Sequence, residues 1–206
     1  MELIFTIFSL LVLLFSIVIH ELAHGSVAYS LGDPTAKYEG RLTLNPLKHL
    51  DIFGSIILPL ILLIATAGQG PIFGWAKPVP INPYNFKDQK WGSLKVALAG
   101  PAVNFFIGLV FALIIRFSGL PLSLPFTQFL SLVVIYNFLL ALFNLIPIPP
   151  LDGSWILFSI LPRSFAPVES FLRQYGMWLL ILLILFNGLW WLNILIGFLF
   201  GLIVGI

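Results

Sequence analysis

Apolar residues run almost unbroken from Leu3 to Ile19. They continue on one face through Leu22, Ala23, Val27 and Ala28 until Gly32-Asp33-Pro34 supplies a helix stop. One helix over residues 3–31 follows, and at about 1.5 Å per residue it can cross a hydrocarbon layer of about 30 Å with some tilt. Glu2, rather than Lys or Arg, precedes the run, and no small-x-small site follows it, so it reads as a retained transmembrane helix and not a cleaved signal. Residues 33–51 are polar, and loose alternation from Lys37 to Leu44 predicts a short extended stretch over residues 36–44. Ile52 to Ala67 is apolar but short for a crossing, and Pro59 interrupts it. Residues 68–92 are rich in Gly and Pro, which opposes a helix and favours extended or turn backbone, above all over residues 72–82. Two further helices are predicted over residues 93–117, with Gly100-Pro101 inside, and 126–147, closed by Pro147, Pro149 and Pro150. A short apolar piece (154–161) and a polar linker (162–174) lead to residues 176–206, which carry no charge. That last membrane segment exceeds one crossing and is expected to bend near Asn187-Gly188, with Trp190 and Trp191 at headgroup level.

Composition narrows the class. Of 206 residues, 60% are apolar and 9% charged, and the mean hydropathy is +1.08. A soluble domain carries about 25% charged residues, so a water-soluble globule and a disordered chain are both excluded. What remains is an all-α integral membrane protein, a polytopic helix bundle, read as a single domain over residues 1–206 that works in a lipid bilayer. Ten Lys and Arg against eight Asp and Glu leave a net charge of +2, too thin for a nucleic-acid surface. The absence of Cys removes disulfides, thiolate nucleophiles and Cys-based metal sites.

Against that background, His20, Glu21 and His24 inside the first span are the costliest residues in the chain, and ionisable groups at membrane depth are functional by default. Their order is His20-Glu21-Leu22-Ala23-His24. Residues i and i+4 share a helix face, so both imidazoles can reach one ion, while Glu21 sits beside it as a general base for an activated water. A catalytic zinc site keeps three protein ligands and one open position. The third ligand must come from His49, Asp33, Asp51, Asp88 or Asp152. Asp152 is the best placed. It follows the Pro-broken end of the fourth apolar segment, and Gly153 permits a tight turn that brings a carboxylate inward. The plainer alternative is that Asp152 only caps the helix beginning at Ser154.

These residues resemble the site-2 protease family of intramembrane zinc metalloproteases. Three motifs in order carry the resemblance: the His20–His24 motif, Ala99-Gly100-Pro101-Ala102-Val103-Asn104, and the run from Phe143-Asn144 through Pro147, Pro149 and Pro150 to Asp152-Gly153. It covers about residues 10–160, and the run from Gly74 to Asn82 looks like one branch of small members. The resemblance implies zinc (Zn2+) bound by His20, His24 and Asp152, with Glu21 as catalytic acid/base. It also implies cleavage of a transmembrane protein or peptide substrate. No PDZ or CBS module of the larger members is read in the chain. Asn144 and Asn104 are candidate catalytic residues, since each amide can donate to a substrate backbone or an oxyanion, although Asn in a membrane helix also serves as interhelical glue.

If His24 and Asp152 bind one ion, the chain between them crosses the membrane an even number of times. Residues 93–117 and 126–147 supply two crossings, so either residues 52–67 form a re-entrant segment or residues 68–92 return across at membrane depth, and short extended strands near the active site are able to hold an unwound substrate by strand addition. Re-entry gathers Lys37, Arg41, Lys48, Lys77, Lys87, Lys90, Arg163 and Arg173 on the side of the site, which is then cytoplasmic in a multi-pass plasma (inner) membrane protein with its N-terminus outside. The competing function class is a metal-binding membrane protein without hydrolysis, a divalent-metal transporter or a pseudoprotease. Glu21 separates the two, because binding or transport needs no base beside the histidines. Gly197, Gly201 and Gly205, spaced four apart, suit close packing within the chain or a homo-oligomer interface.

Overall fold

Eight α-helices form along the chain in the computed structural model, which describes residues 2–66 and 74–205. They are α1 (Glu2–Ser30), α2 (Thr35–Tyr38), α3 (Leu58–Ala65), α4 (Gln89–Ser118), α5 (Pro125–Asn144), α6 (Asp152–Ile160), α7 (Ala166–Leu185) and α8 (Trp190–Val204). α1, α4, α5 and α7 are each long and apolar enough to cross a bilayer. Large side chains such as Leu3, Phe106, Trp178 and Leu202 stand more than 60% exposed on their outer faces, as lipid-facing residues do. The chain is a multi-pass membrane protein.

Side-chain contacts fix the direction of the central helices. Ser16 and His24 of α1 meet Asn104 and Val96 of α4 respectively, so these two helices are antiparallel. Phe5 stacks on Phe129 and Ser16 meets Asn137, so α1 and α5 run parallel. The C-terminal half of α1, the start of α4 and the end of α5 therefore lie at one end of the bundle. Lipid tails are as apolar as Leu, so association of these helices rests on close packing and buried hydrogen bonds. Both are present. A Cβ at Gly108 would lie 2.6 Å from the Phe138 ring, so α4 and α5 approach as only Gly allows. Ser16, Asn104 and Asn137 form a buried polar network among α1, α4 and α5.

The segment between α1 and α4 departs from the extended strands expected there. No β-strand forms among the described residues. Where residues 36–44 were expected to extend, Asp33 accepts from the Thr35 amide and starts the short helix α2, and Gly40 then turns the chain at φ 63°. Of residues 72–82, the first two lie outside the described residues. The rest are irregular, because Pro78 and Pro80 have no N–H for a ladder and neighbouring amides are engaged elsewhere in the chain. A π-helical turn (Ile52–Ile57) leads into α3, together about 21 Å long, too short for a crossing. The chain leaves and returns at one place: the Trp75 amide donates to Gly54 and the Lys77 amide to His49. The expected re-entry falls partly on residues 67–73, outside the described residues.

The C-terminal third also differs from expectation. Residues 166–174, expected as linker, are helical: Pro167 sits in the first turn of α7, and Arg173 pairs with Glu169 one turn away. The expected bend is present. α7 ends at Leu185, Asn187 takes φ 54°, and α8 starts at Trp190. α8 packs through Leu192, Ile196 and Val204; of the Gly stripe, Gly197 has no atom near the place of a Cβ, while at Gly205 a Cβ would lie 3.4 Å from Arg116. Arg116 of α4 closes its far end by donating to the Leu202 and Ile203 carbonyls.

Candidate active site

The site lies where α1, α4 and α6 meet. His20 and His24 project from one face of α1 toward Gly100 of α4. A Cβ on Gly100 would fall on both imidazoles, 2.5 Å from His20 Nε2, so glycine is what admits the rings. The third group arrives from the tight loop after α5. Gly153 permits that loop, since a Cβ there would strike the backbone carbonyls of Leu145 and Ile146. Asp152, the first residue of α6, makes no capping bond to its own helix and turns its carboxylate to the histidines.

The hydrogen-bond network assigns the protons on the rings. The Ser16 carbonyl can only accept, so the Asn104 atom 3.2 Å from it is Nδ2. Asn104 Oδ1 then faces His20 Nδ1 at 2.6 Å, and that nitrogen carries the hydrogen. The Val96 carbonyl, 2.7 Å from His24 Nδ1, imposes the same tautomer. In the neutral rings both Nε2 atoms keep their lone pairs. These nitrogens are 3.0 Å apart, and Asp152 Oδ2 lies 3.1 Å from one and 3.3 Å from the other. Three acceptors this close repel one another unless a cation or an added proton sits among them. Donors about 2.0–2.1 Å from a tetrahedral zinc ion stand about 3.3 Å from each other. The triangle and its chemistry fit a metal ion.

Glu21 points along the same cavity, of about 360 Å³, which is also lined by Pro78, Val79, Ile81, Asn144 and Trp155. Its Oε2 accepts from the Val79 amide at 2.8 Å. Asn144 borders the cavity and donates to the Leu140 carbonyl of its own helix. Asn104, expected to reach substrate, does not border the cavity. It is fully buried behind His20, and its polar atoms are held by His20, Ser16 and Asn137. The other candidate ligands are engaged elsewhere: His49 with the Thr43 carbonyl, Asp51 with the Gly54 amide, Asp88 with the Trp91 amide at the start of α4. Asp33 is buried and binds the 82–85 turn. Burial pushes its carboxyl pKa up, but hydrogen bonds from Thr35, Asn82 and Asn85 outweigh this and hold it below the usual carboxylate range. Sequence reasoning missed the parts played by Ser16, Asn137, Val79 and Arg41, because a backbone amide has no sequence signature and isolated polar residues in apolar spans read as scattered.

Comparison with known proteins agrees with this geometry. Over 181 residues the chain is 41% identical to a Bacillus subtilis protein named "Putative zinc metalloprotease YwhC", covering 84% of this chain and 77% of that one. The chain belongs to peptidase family M50, the site-2 protease family of membrane zinc metalloproteases. The M50 family model itself matches residues 121–186, the part that holds Asn144 and Asp152. "Putative zinc metalloprotease Rip2" of Mycolicibacterium smegmatis is 29% identical over 180 residues, covering 84% of this chain and 64% of its own length. "Zinc metalloprotease MJ0392" of Methanocaldococcus jannaschii is 35% identical over 113 residues, 53% of this chain and 32% of that protein. No solved structure matches the chain.

Proposed function

We propose that this M50 member is an intramembrane zinc endopeptidase that cuts a peptide bond in or near a transmembrane segment of a membrane protein. The observation that carries the reading is the triangle of His20 Nε2, His24 Nε2 and Asp152 Oδ2, with both Nδ1 atoms engaged behind it and a carboxylate beside it. Those three atoms are the ligands for zinc. Zinc held there supplies a Lewis acid for the scissile carbonyl and acidifies a water. Glu21 does the proton work. Val79 holds one carboxylate oxygen, and the other, without a hydrogen-bond partner among the described residues, takes a proton from the attacking water and returns it to the leaving nitrogen. Asn144, at the cavity wall, donates to the substrate backbone or the developing oxyanion. Asn104 is a positioning residue that fixes the His20 ring and its tautomer.

A helical substrate must unwind before its carbonyl can be attacked. Strand addition along residues 77–82 has a narrow register. The amides of Lys77, Val79 and Asn82 are already used within the chain, and prolines occupy 78 and 80. Ile81 offers the remaining amide of this stretch, so a substrate strand pairs there over one or two residues. We place residues 1–206 in one domain of the plasma membrane, with the helical piece from Ile52 to Ala65, too short to cross, re-entering from the side of the site. The site faces the cytoplasm, where Lys37, Lys48, Lys77, Lys87, Lys90 and Arg173 gather at its end of the bundle. The deciding experiment compares wild type with Glu21→Gln on a single-span peptide substrate. The variant should lose cleavage while keeping its zinc; cleavage by neither protein would return the chain to the non-hydrolytic metal-binding class, and cleavage by both would remove Glu21 as the base.

A further inference from the structure

Pro78, Val79, Ile81 and Pro83 line the cavity, and two buried charges hold the segment 77–85 there. Asp33, fully buried, accepts from the Asn82 amide and from Asn85 Nδ2, each at 2.7 Å. Arg41, 4% exposed, donates through Nη2 to the carbonyls of Lys77 at 2.7 Å and Pro78 at 3.3 Å. It forms no ion pair among the described residues. Pro78-Val79-Pro80 hangs between these two anchors. Neither proline has an N–H, so Val79 carries the one amide of the three, and it is spent on Glu21. The Val79 side chain is seated on α1 against Gly25, where a Cβ would come within 2.9 Å of it. Burying a guanidinium without a carboxylate is expensive, and a neutral donor would hold a loop with less desolvation. Directing that charge to backbone carbonyls one and two residues before Val79 makes the position of this single amide stiff.

We propose that Asp33 and Arg41 are positioning residues for Glu21, acting through the 77–85 segment so that the Val79 amide holds one carboxylate oxygen and leaves the other aimed into the cavity. This rests on the reading of Glu21 as the proton carrier. The amide itself gives a readout independent of cleavage. In zinc-loaded protein labelled with 15N-valine, hydrogen exchange at Val79 should be slow in wild type and at least about tenfold faster in Arg41→Gln and Asp33→Asn. In the same variants kcat should fall about 100-fold, with KM moving much less, because a misplaced base costs rate more than binding. Zinc content should not change, and Arg41→Lys should recover part of both losses. Tyr38→Ala, at the end of α2 three residues before Arg41 but 82% exposed, should alter neither. In protein labelled with 15N-asparagine as well as 15N-valine, Glu21→Ala should free the Val79 amide while the Asn82 amide stays protected, a test that leaves both clamp residues intact. Val79 exchanging at free-peptide rate in wild type would overturn the proposal even if the clamp variants did not fold. So would faster Val79 exchange in those variants with unchanged kcat, and that outcome would leave the protease reading standing. Cleavage surviving in Glu21→Gln would overturn the proposal by removing Glu21 as the proton carrier, whereas no cleavage by zinc-loaded wild type with Val79 protected would sink the protease reading instead.

Discussion

Replacing Gly100 by Ala tests the packing of α4 on the candidate ligands with a single methyl group. The added Cβ would sit 2.5 Å from His20 Nε2 and Cε1, and it would meet His24 Nε2 as well. Ordinary carbon contacts begin near 3.5 Å, so one partner must retreat by about 1 Å. Neither ring can do so freely. His20 is tied to Asn104 and His24 to the Val96 carbonyl, which lies on the same helix as the new methyl. A metal site tolerates ligand shifts of only about 0.2 Å. Gly100→Ala should therefore weaken zinc binding by at least the 10- to 100-fold typical of lost supporting contacts. Peptidase activity at limiting zinc should fall with it. Alanine is also a better helix former than glycine, by about 1 kcal/mol, so the zinc-free protein should keep its helical content. Competition with a graded chelator, read as bound zinc per chain, measures the affinity, and circular dichroism checks the fold. A Gly100→Ala protein that holds zinc as tightly as wild type and cleaves at the same rate would refute the placement of both imidazoles against α4.

Three further outcomes follow from the same geometry. Asn104→Leu removes the acceptor behind His20 and should lower zinc affinity about 10- to 100-fold without touching substrate, read as a rise in the zinc needed for half-maximal activity with KM little changed. Asp33 has a folded-state pKa below its unfolded value, so its stabilisation is complete above the ordinary carboxylate range and is lost as pH falls through the lowered value. Melting temperatures from neutral pH downward should drop more steeply in wild type than in Asp33→Asn over that acid window; parallel curves would refute the assignment. Stripping the metal should lower the melting temperature of wild type and leave that of His20→Ala/His24→Ala unchanged, since only a protein that binds the ion gains from it.

The first half of the site was legible because a bilayer makes ionisable residues rare. His20, Glu21 and His24 stand out in an apolar run for the same reason that they are costly there. Asp152 was legible from its Pro-broken, Gly-permitted turn. The supporting layer was not. Asn104 read as a group for substrate and turned out to lie behind His20, because the sequence places it on a helix but not on a face of a bundle. Arg41 read as part of a polar segment and Asp33 as one of five candidate ligands, yet both are buried against backbone groups and an amide more than 35 residues away. The strands expected over 36–44 and 72–82 failed on local chemistry: an Asp33 side chain that starts a helical turn and prolines without donors. α7 was masked by its first two turns, where Glu169 and Arg173 look like linker residues but pair along a helix.

His20 and Asp152 are separated by 132 positions in the chain. On the proposed ligand set, a ribosome that has delivered α1 to the membrane has made both histidines and the base but no complete metal site. At about 5–20 residues per second, several seconds more of synthesis pass before Asp152 exists. It must then leave the ribosome and dock beside α1 with α4 and α5 already in place. A hydrolase born among other nascent membrane segments is thus inert while α1, α4 and α5 are inserted. Its competence waits on the docking of α6, which needs those three helices in place.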